Sequence, residues 1–103
     1  ESELIMLKNT MFGAGKIMML LGQYEKAIAT FNMVATRYQE PTSLDALLQI
    51  ALAYRYLNRK DDAISVLNRA ELLLQQFEES GTIPKGTDWM SKIQIQKKVM
   101  NNE

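Results

Sequence analysis

Two stretches of this chain echo each other without a gap. Residues 20–31 read LLGQYEKAIATF and residues 56–67 read YLNRKDDAISVL. Leu21 matches Leu57, Gly22 matches Asn58, Ala27 matches Ala63, Ile28 matches Ile64, Phe31 matches Leu67, and further on Val34 matches Ala70. The spacing is 36 residues. A period of this size is the mark of stacked supersecondary units that share one continuous core, and stacked helical hairpins in particular.

The local pattern agrees. Apolar residues recur at three- and four-residue spacing, as a helix requires, and nothing alternates with the period of two that a strand would show. The two prolines, Pro41 and Pro84, fall in the polar stretches RYQEPTS and SGTIPKGT, which are the natural breaks. Five helices are expected. The first runs from about Ser2, a candidate cap, to Leu21, and Gly22 ends it in the left-handed conformation that glycine adopts freely. The second runs from about 23 to 38, with Tyr24, Ala27, Ile28, Phe31, Val34 and Ala35 on one stripe. The third begins at Ser43, capped by Thr42 or Ser43, and runs to Leu57, where Asn58 takes the part of Gly22. The fourth runs from about Lys60 to Glu79. A loop over 80–87 follows, and Thr87 and Asp88 open a fifth helix over 88–103.

The same residues resemble the tetratricopeptide repeat, a helix–turn–helix unit of 34 residues. YEKAIATFNMV fits the pattern of its second helix through Tyr24, Ala27, Phe31 and Val34; DDAISVLNRA fits through Ala63, Leu67 and Ala70. In the first helices, Ala14-Gly15 and Ile50-Ala51 take the places of the family's Leu-Gly pair, and Tyr54 matches its aromatic. There are departures. Met18 replaces that aromatic in the first unit, Met11 and Leu47 stand where the family often has Trp, Lys60 stands where Tyr24 does, and Pro41 falls two residues late. The resemblance covers about residues 8 to 77. It implies an all-α, right-handed solenoid of about five antiparallel helices: two hairpins within residues 1–79 (about 2–38 and 43–79) and a C-terminal capping helix.

Gly13-Ala14-Gly15-Lys16 invites a different reading, a phosphate cradle. A Walker loop needs glycine where Thr10 stands and Ser or Thr where Ile17 stands; a dinucleotide fingerprint needs glycine at Met18. Neither pattern follows a strand. In the repeat, Gly15 instead fills a small position where one helix backbone nears its partner. Gly13 has no such part, and is either a weak point or a second close contact.

Composition narrows the function. Twelve basic and twelve acidic residues cancel, so nothing global draws the chain to nucleic acid or an anionic membrane. There is no Cys and no His, which removes disulfides, thiolate chemistry, His- or Cys-based zinc sites and His-based triads. The longest apolar run, 17–21, is far short of the roughly 20 residues a membrane helix needs. The acidic pairs Asp61-Asp62 and Glu78-Glu79 sit at a helix start and a helix end, with no triad, glycine-rich loop or metal spacing beside them. No catalytic residue, metal site or cofactor is therefore expected.

In the family, stacked first helices line a concave groove that receives a partner peptide. Carried over, the resemblance implies that the first repeat offers Asn9, Phe12, Lys16 and Met19, and the second Asp45, Leu48, Gln49, Leu52 and Arg55. The family's carboxylate clamp is not expected, because Phe12 and Lys16 occupy two of its positions. The alternative for Phe12 and Leu48 is ordinary packing. The first helix is apolar on nearly every face, through Leu4, Ile5, Met6, Leu7, Met11, Phe12 and residues 17–21, and a helix apolar all round is usually buried all round. One hairpin partner cannot cover it. A neighbouring repeat, a second copy of the chain or a bound protein is expected to do so. Trp89 and Ile93 are expected on the end of the stack, with Lys92, Gln96 and Lys97 toward water. The leading expectation is a non-catalytic scaffold that binds a protein or peptide. The alternative is a self-associating element, or a fragment of a longer array whose N-terminal part precedes Glu1. The YQEPTSLDALLQIALAY linker is loosely similar to tetratricopeptide proteins of the bacterial envelope, a tilt toward a bacterial source that leaves the compartment, cytoplasm or envelope, undecided.

Overall fold

A computed structural model describes residues 2–38 and 40–102, with side chains from residue 7. The expected Ser2 cap and the side chains of Leu4, Ile5 and Met6 lie outside the described part. The described chain is five helices with no strand: α1 (Ser2–Leu20), α2 (Tyr24–Arg37), α3 (Pro41–Tyr56), α4 (Lys60–Ser80) and α5 (Trp89–Asn101). Each packs mainly on its neighbours in sequence, α1 on α2, α2 on α3, α3 on α4 and α4 on α5. The extents are 40 × 31 × 17 Å. The short dimension holds two helix layers at the usual 8–10 Å spacing. Sequential packing in two layers places α1, α3 and α5 in one and α2 and α4 in the other.

The 36-residue echo in sequence is also an echo in hydrogen bonding. At the end of α1, Gly22 N–H donates to Met19 C=O at 3.1 Å and Gln23 N–H to Met18 C=O at 2.8 Å. At the end of α3, Asn58 N–H donates to Arg55 C=O at 3.0 Å and Arg59 N–H to Tyr54 C=O at 2.8 Å. Every partner is displaced by 36. Both turns are the same paired-bond cap, which satisfies the last carbonyls of a helix only if one residue enters the left-handed region. Gly22 does so at φ 75° and Asn58 at φ 59°.

The core repeats with the same period. Ala27 and Ala63, Phe31 and Leu67, and Val34 and Ala70 are all fully buried. The two alanines let α2 and α4 approach their partner helices closely. Gly15 serves the same close approach from the other side. A Cβ at Gly15 would lie 2.7 Å from the Phe31 ring, whereas one at Gly13 would meet nothing within 4 Å. The glycine pair is thus one contact glycine and one free position inside a helix.

Two expectations change. α3 begins at Pro41, with Glu40 as its cap residue, and not at Ser43. Proline suits the first helical turn, because its missing N–H would have had no partner there. Ser43 is instead fully buried inside the first turn, where its hydroxyl donates to the Tyr38 carbonyl and ties the linker to the helix. In α5, Ile93 and Met100 are buried, but Gln96 and Lys97 do not point freely to water. Both are half-buried, and the Lys97 ammonium is paired with Glu71 of α4. That pair and the two apolar anchors hold α5 on α4.

Candidate functional site

The candidate site lies on the face that α1 and α3 share. A cavity of 420 Å³ opens on it, walled by Lys16, Met19 and Leu20 of α1, Tyr24 at the start of α2, and Gln49, Leu52 and Tyr56 of α3. Four expected residues, Lys16, Met19, Gln49 and Leu52, therefore meet in one place. The turns explain how. Gly22 reverses the chain so that Tyr24 stands beside the end of α1, and α3 arrives at the same end of the stack with Tyr56. The two tyrosine rings stack, with centroids 5.0 Å apart and planes inclined by 21°. A stacked pair of this kind is a stiff apolar wall. Leu20 is 87% exposed and Tyr56 57% exposed on its rim.

The other expected residues divide. Phe12 is half-buried and meets Phe31 edge-on, with ring centroids 5.2 Å apart. It belongs more to packing than to the cavity. Leu48 is only 7% exposed and sits in the core cluster, so it supports the face from below. Asn9 is exposed, Arg55 is half-buried, and neither lines the cavity. Leu20, Tyr24 and Tyr56 were not among the expected site residues. Their signal in the sequence is position: all three lie within two residues of the equivalent turns at Gly22 and Asn58, where solenoid stacking brings helix ends together.

The electrostatics of this face centre on Asp45. Surrounding protein takes water from its carboxyl and pushes the pKa above the ordinary carboxylate value. Lys92 of α5 and then Lys16 of α1 pull the other way and are outweighed. Neither lysine forms an ion pair among the described residues, where the pairs are Lys8–Glu40, Arg59–Asp62 and Lys97–Glu71. Each lies over an aromatic ring instead. The Lys16 ammonium is 5.9 Å from the Phe12 centroid and the Lys92 ammonium 4.7 Å from the Trp89 centroid, within cation–π reach.

A second cavity of 420 Å³ lies in the other layer, between α2 and α4, lined by Ala35, Thr36, Arg69, Leu72, Leu73 and Gln76. It has no aromatic wall. Among the described residues no helix is long and apolar enough to cross a membrane.

The comparison with protein families matches this geometry. The tetratricopeptide repeat model fits residues 9–40 and 45–79, one match for each hairpin. The chain belongs to the tetratricopeptide repeat family. Repeats of this family generally mediate protein–protein interaction and are typically non-catalytic. No curated relative and no solved structure matches the chain. The fold reading therefore rests on the repeat itself, and the matched spans bracket the two turns whose hydrogen bonds coincide.

Proposed function

We propose that this chain is a non-catalytic interaction module that holds a peptide or a helix of another protein against the layer of α1 and α3. The observation that carries the reading is the cavity beside the stacked Tyr24–Tyr56 pair, where four of the implied groove residues converge. It is concave and mostly apolar, with Lys16 and Gln49 as polar handles, as binding sites tend to be. Asn9, Phe12, Asp45 and Arg55 would flank the bound segment, and Leu48 would act only through packing.

The test is a titration of isotope-labelled protein with peptides selected from a random library. The expected result is that resonances of Lys16, Met19, Gln49 and Leu52 shift together, and that Leu52→Asp abolishes binding while the far-ultraviolet helical signal persists. Phe12→Asp is the poorer probe, because Phe12 packs on the buried Phe31. Peptides that perturb only α2 and α4, or that bind Leu52→Asp unchanged, would reject the groove.

A second reading is self-association. Ile17, at 58% exposed, stands with Leu20 and Leu21 as exposed apolar side chains at the end of α1, and α1 has α2 as its one main neighbour. Hiding each such side chain is worth roughly 1.5–3 kcal/mol. Light scattering over a hundredfold range of concentration decides: a mass that rises with concentration and falls back in Leu20→Glu supports the dimer, and a constant monomer rejects it.

A further inference from the structure

The cavity on α1 and α3 carries a plug on its own rim. Leu20 is one of its wall residues and, at 87%, the most exposed large apolar side chain among the described residues. Ile17 and Leu21 stand near it in α1 and the following turn, at 58% and 67% exposed, and Tyr56, a wall residue from α3, is 57% exposed. Lys16 is the one charged wall residue. A projecting leucine and an apolar hole on a single patch have a geometric consequence. Turned about a two-fold axis, the patch meets itself: the leucine of each copy enters the hole of the other, and both holes are filled at once.

We propose that a second copy of the chain occupies this face, related by a two-fold axis, with Leu20 of each copy seated against Met19, Leu52 and the Tyr24–Tyr56 stack of the other. The inference rests on the self-association reading and names its interface. Size permits the seat, since an apolar cavity of about 150 Å³ already holds a benzene ring and this one measures 420 Å³. Charge does not oppose it, because twelve basic and twelve acidic residues cancel and two copies approach without net repulsion. Area sets its strength. A fully exposed aliphatic side chain offers about 60–120 Å² and a tyrosine about 150–250 Å². Scaled by their exposures, the four side chains offer roughly 200–400 Å² per copy, and two copies roughly 400–800 Å² before the cavity walls are added. Interfaces below about 1,200 Å² belong to weak, transient encounters, so the dimer is one that opens on dilution. Leu20 of one copy then fills the site proposed for a peptide in the other. Dimer and peptide exclude each other, and self-association regulates the groove.

Leu72 is a second exposed leucine beside a cavity, at 61%, between α2 and α4. That cavity is walled by Thr36, Arg69 and Gln76 as much as by Ala35 and Leu73, and a leucine entering it would strip water from polar groups. Leu72→Lys is therefore the control substitution.

The experiment is sedimentation equilibrium over two orders of magnitude in protein concentration. Leu20→Lys removes the plug, and Leu52→Asp puts a charge in the hole. Each alone should weaken dimerisation at least tenfold with the helical signal intact, and Leu72→Lys should leave it unchanged. A one-to-one mixture of Leu20→Lys and Leu52→Asp chains should recover most of the lost association, because one seat is then native and the other pairs the two introduced charges. In a mixture of isotope-labelled and unlabelled unsubstituted chain, the Leu20 methyl groups should show intermolecular Overhauser contacts to the Tyr24 and Tyr56 rings. That measurement needs no variant and decides the matter should a substitution disturb folding. Self-association without those contacts, or without rescue in the mixture of folded variants, would overturn the inference and leave association through another surface. A monomer at every concentration would overturn both.

Discussion

At the scale of single residues, the two glycines of α1 make opposite predictions from the same substitution. Alanine is about 1 kcal/mol better than glycine inside a helix. At Gly13 the added Cβ meets nothing, so Gly13→Ala should stabilise by about 0.5–1 kcal/mol in urea unfolding. At Gly15 the Cβ would press on the Phe31 ring at 2.7 Å, and that ring is fully buried. Overpacking of this kind costs about 1–3 kcal/mol, which outweighs the propensity gain, so Gly15→Ala should lower stability by about 1 kcal/mol. The repeat pattern identified Gly15 because the small position recurs at Ala51. It said nothing of Gly13, since an empty neighbourhood leaves no trace in sequence. Asp45 makes a pH prediction. Its carboxyl is raised, chiefly by lost water, so the folded state binds the proton more tightly than the unfolded chain does. Its contribution is therefore present below the unfolded carboxylate pKa and is lost as pH rises through the folded one. Asp45→Asn should accordingly stabilise the protein at neutral pH. The advantage should disappear in acid, below the ordinary carboxylate range, in thermal melts run across pH.

At the scale of elements, what could be read ahead was the hairpin and what could not was the helix start. Gly22 and Asn58 both announce a left-handed cap, and both adopt one. Asn58→Gly should be neutral or slightly stabilising. Asn58→Ala should cost on the order of 1 kcal/mol, by the penalty for a side chain in that region, measurable by chemical denaturation. Pro41 misled because proline marks either a break or a first turn, and only the tertiary setting of Ser43 against Tyr38 chooses between them. The face of α3 was ambiguous for a related reason. With LLQIALA in its middle, α3 is apolar toward both layers, so Leu48 in the core and Leu52 beside the cavity are indistinguishable by periodicity. For α5 the sequence singled out Trp89 and Ile93, of which Ile93 is fully buried while Trp89 packs half-buried against the core and Met100 is the second anchor. It missed the ion pair, because Glu71 lies 26 residues from Lys97 and pairing at that distance has no local signature. Ile93 is fully buried, so Ile93→Ala should destabilise by about 2–5 kcal/mol. The half-buried Lys97–Glu71 pair should matter less. Lys97→Ala is expected to shift the unfolding midpoint well short of Ile93→Ala, and an equal shift would mean that α5 is held by charge.

At the scale of the molecule, contacts run along the chain from each helix to the next, and stability should be distributed accordingly. In a solenoid each unit is held by its own packing and by its neighbours, so central helices, packed on two sides, should open least. α3 has eight buried residues and is flanked by both α2 and α4. α1 leaves Ile17 and Leu20 exposed and rests on α2 alone as its main support. Local opening free energies range from near zero up to the global value, and the ends of this stack belong at the low end. Hydrogen–deuterium exchange should therefore show α1 losing protection first and α3 last, with at least tenfold separation, equivalent to about 1.4 kcal/mol. A peptide seated in the tyrosine-walled cavity would join α1 to α3 and should close that gap by slowing exchange in α1 more than in α4. The same coupling would appear without a peptide if a second copy covered α1, but then protection of α1 would rise with protein concentration. Equal protection of α1 and α3 in dilute, peptide-free protein would mean that the two hairpins unfold as one block and that the exposed apolar end of α1 is no weak flank.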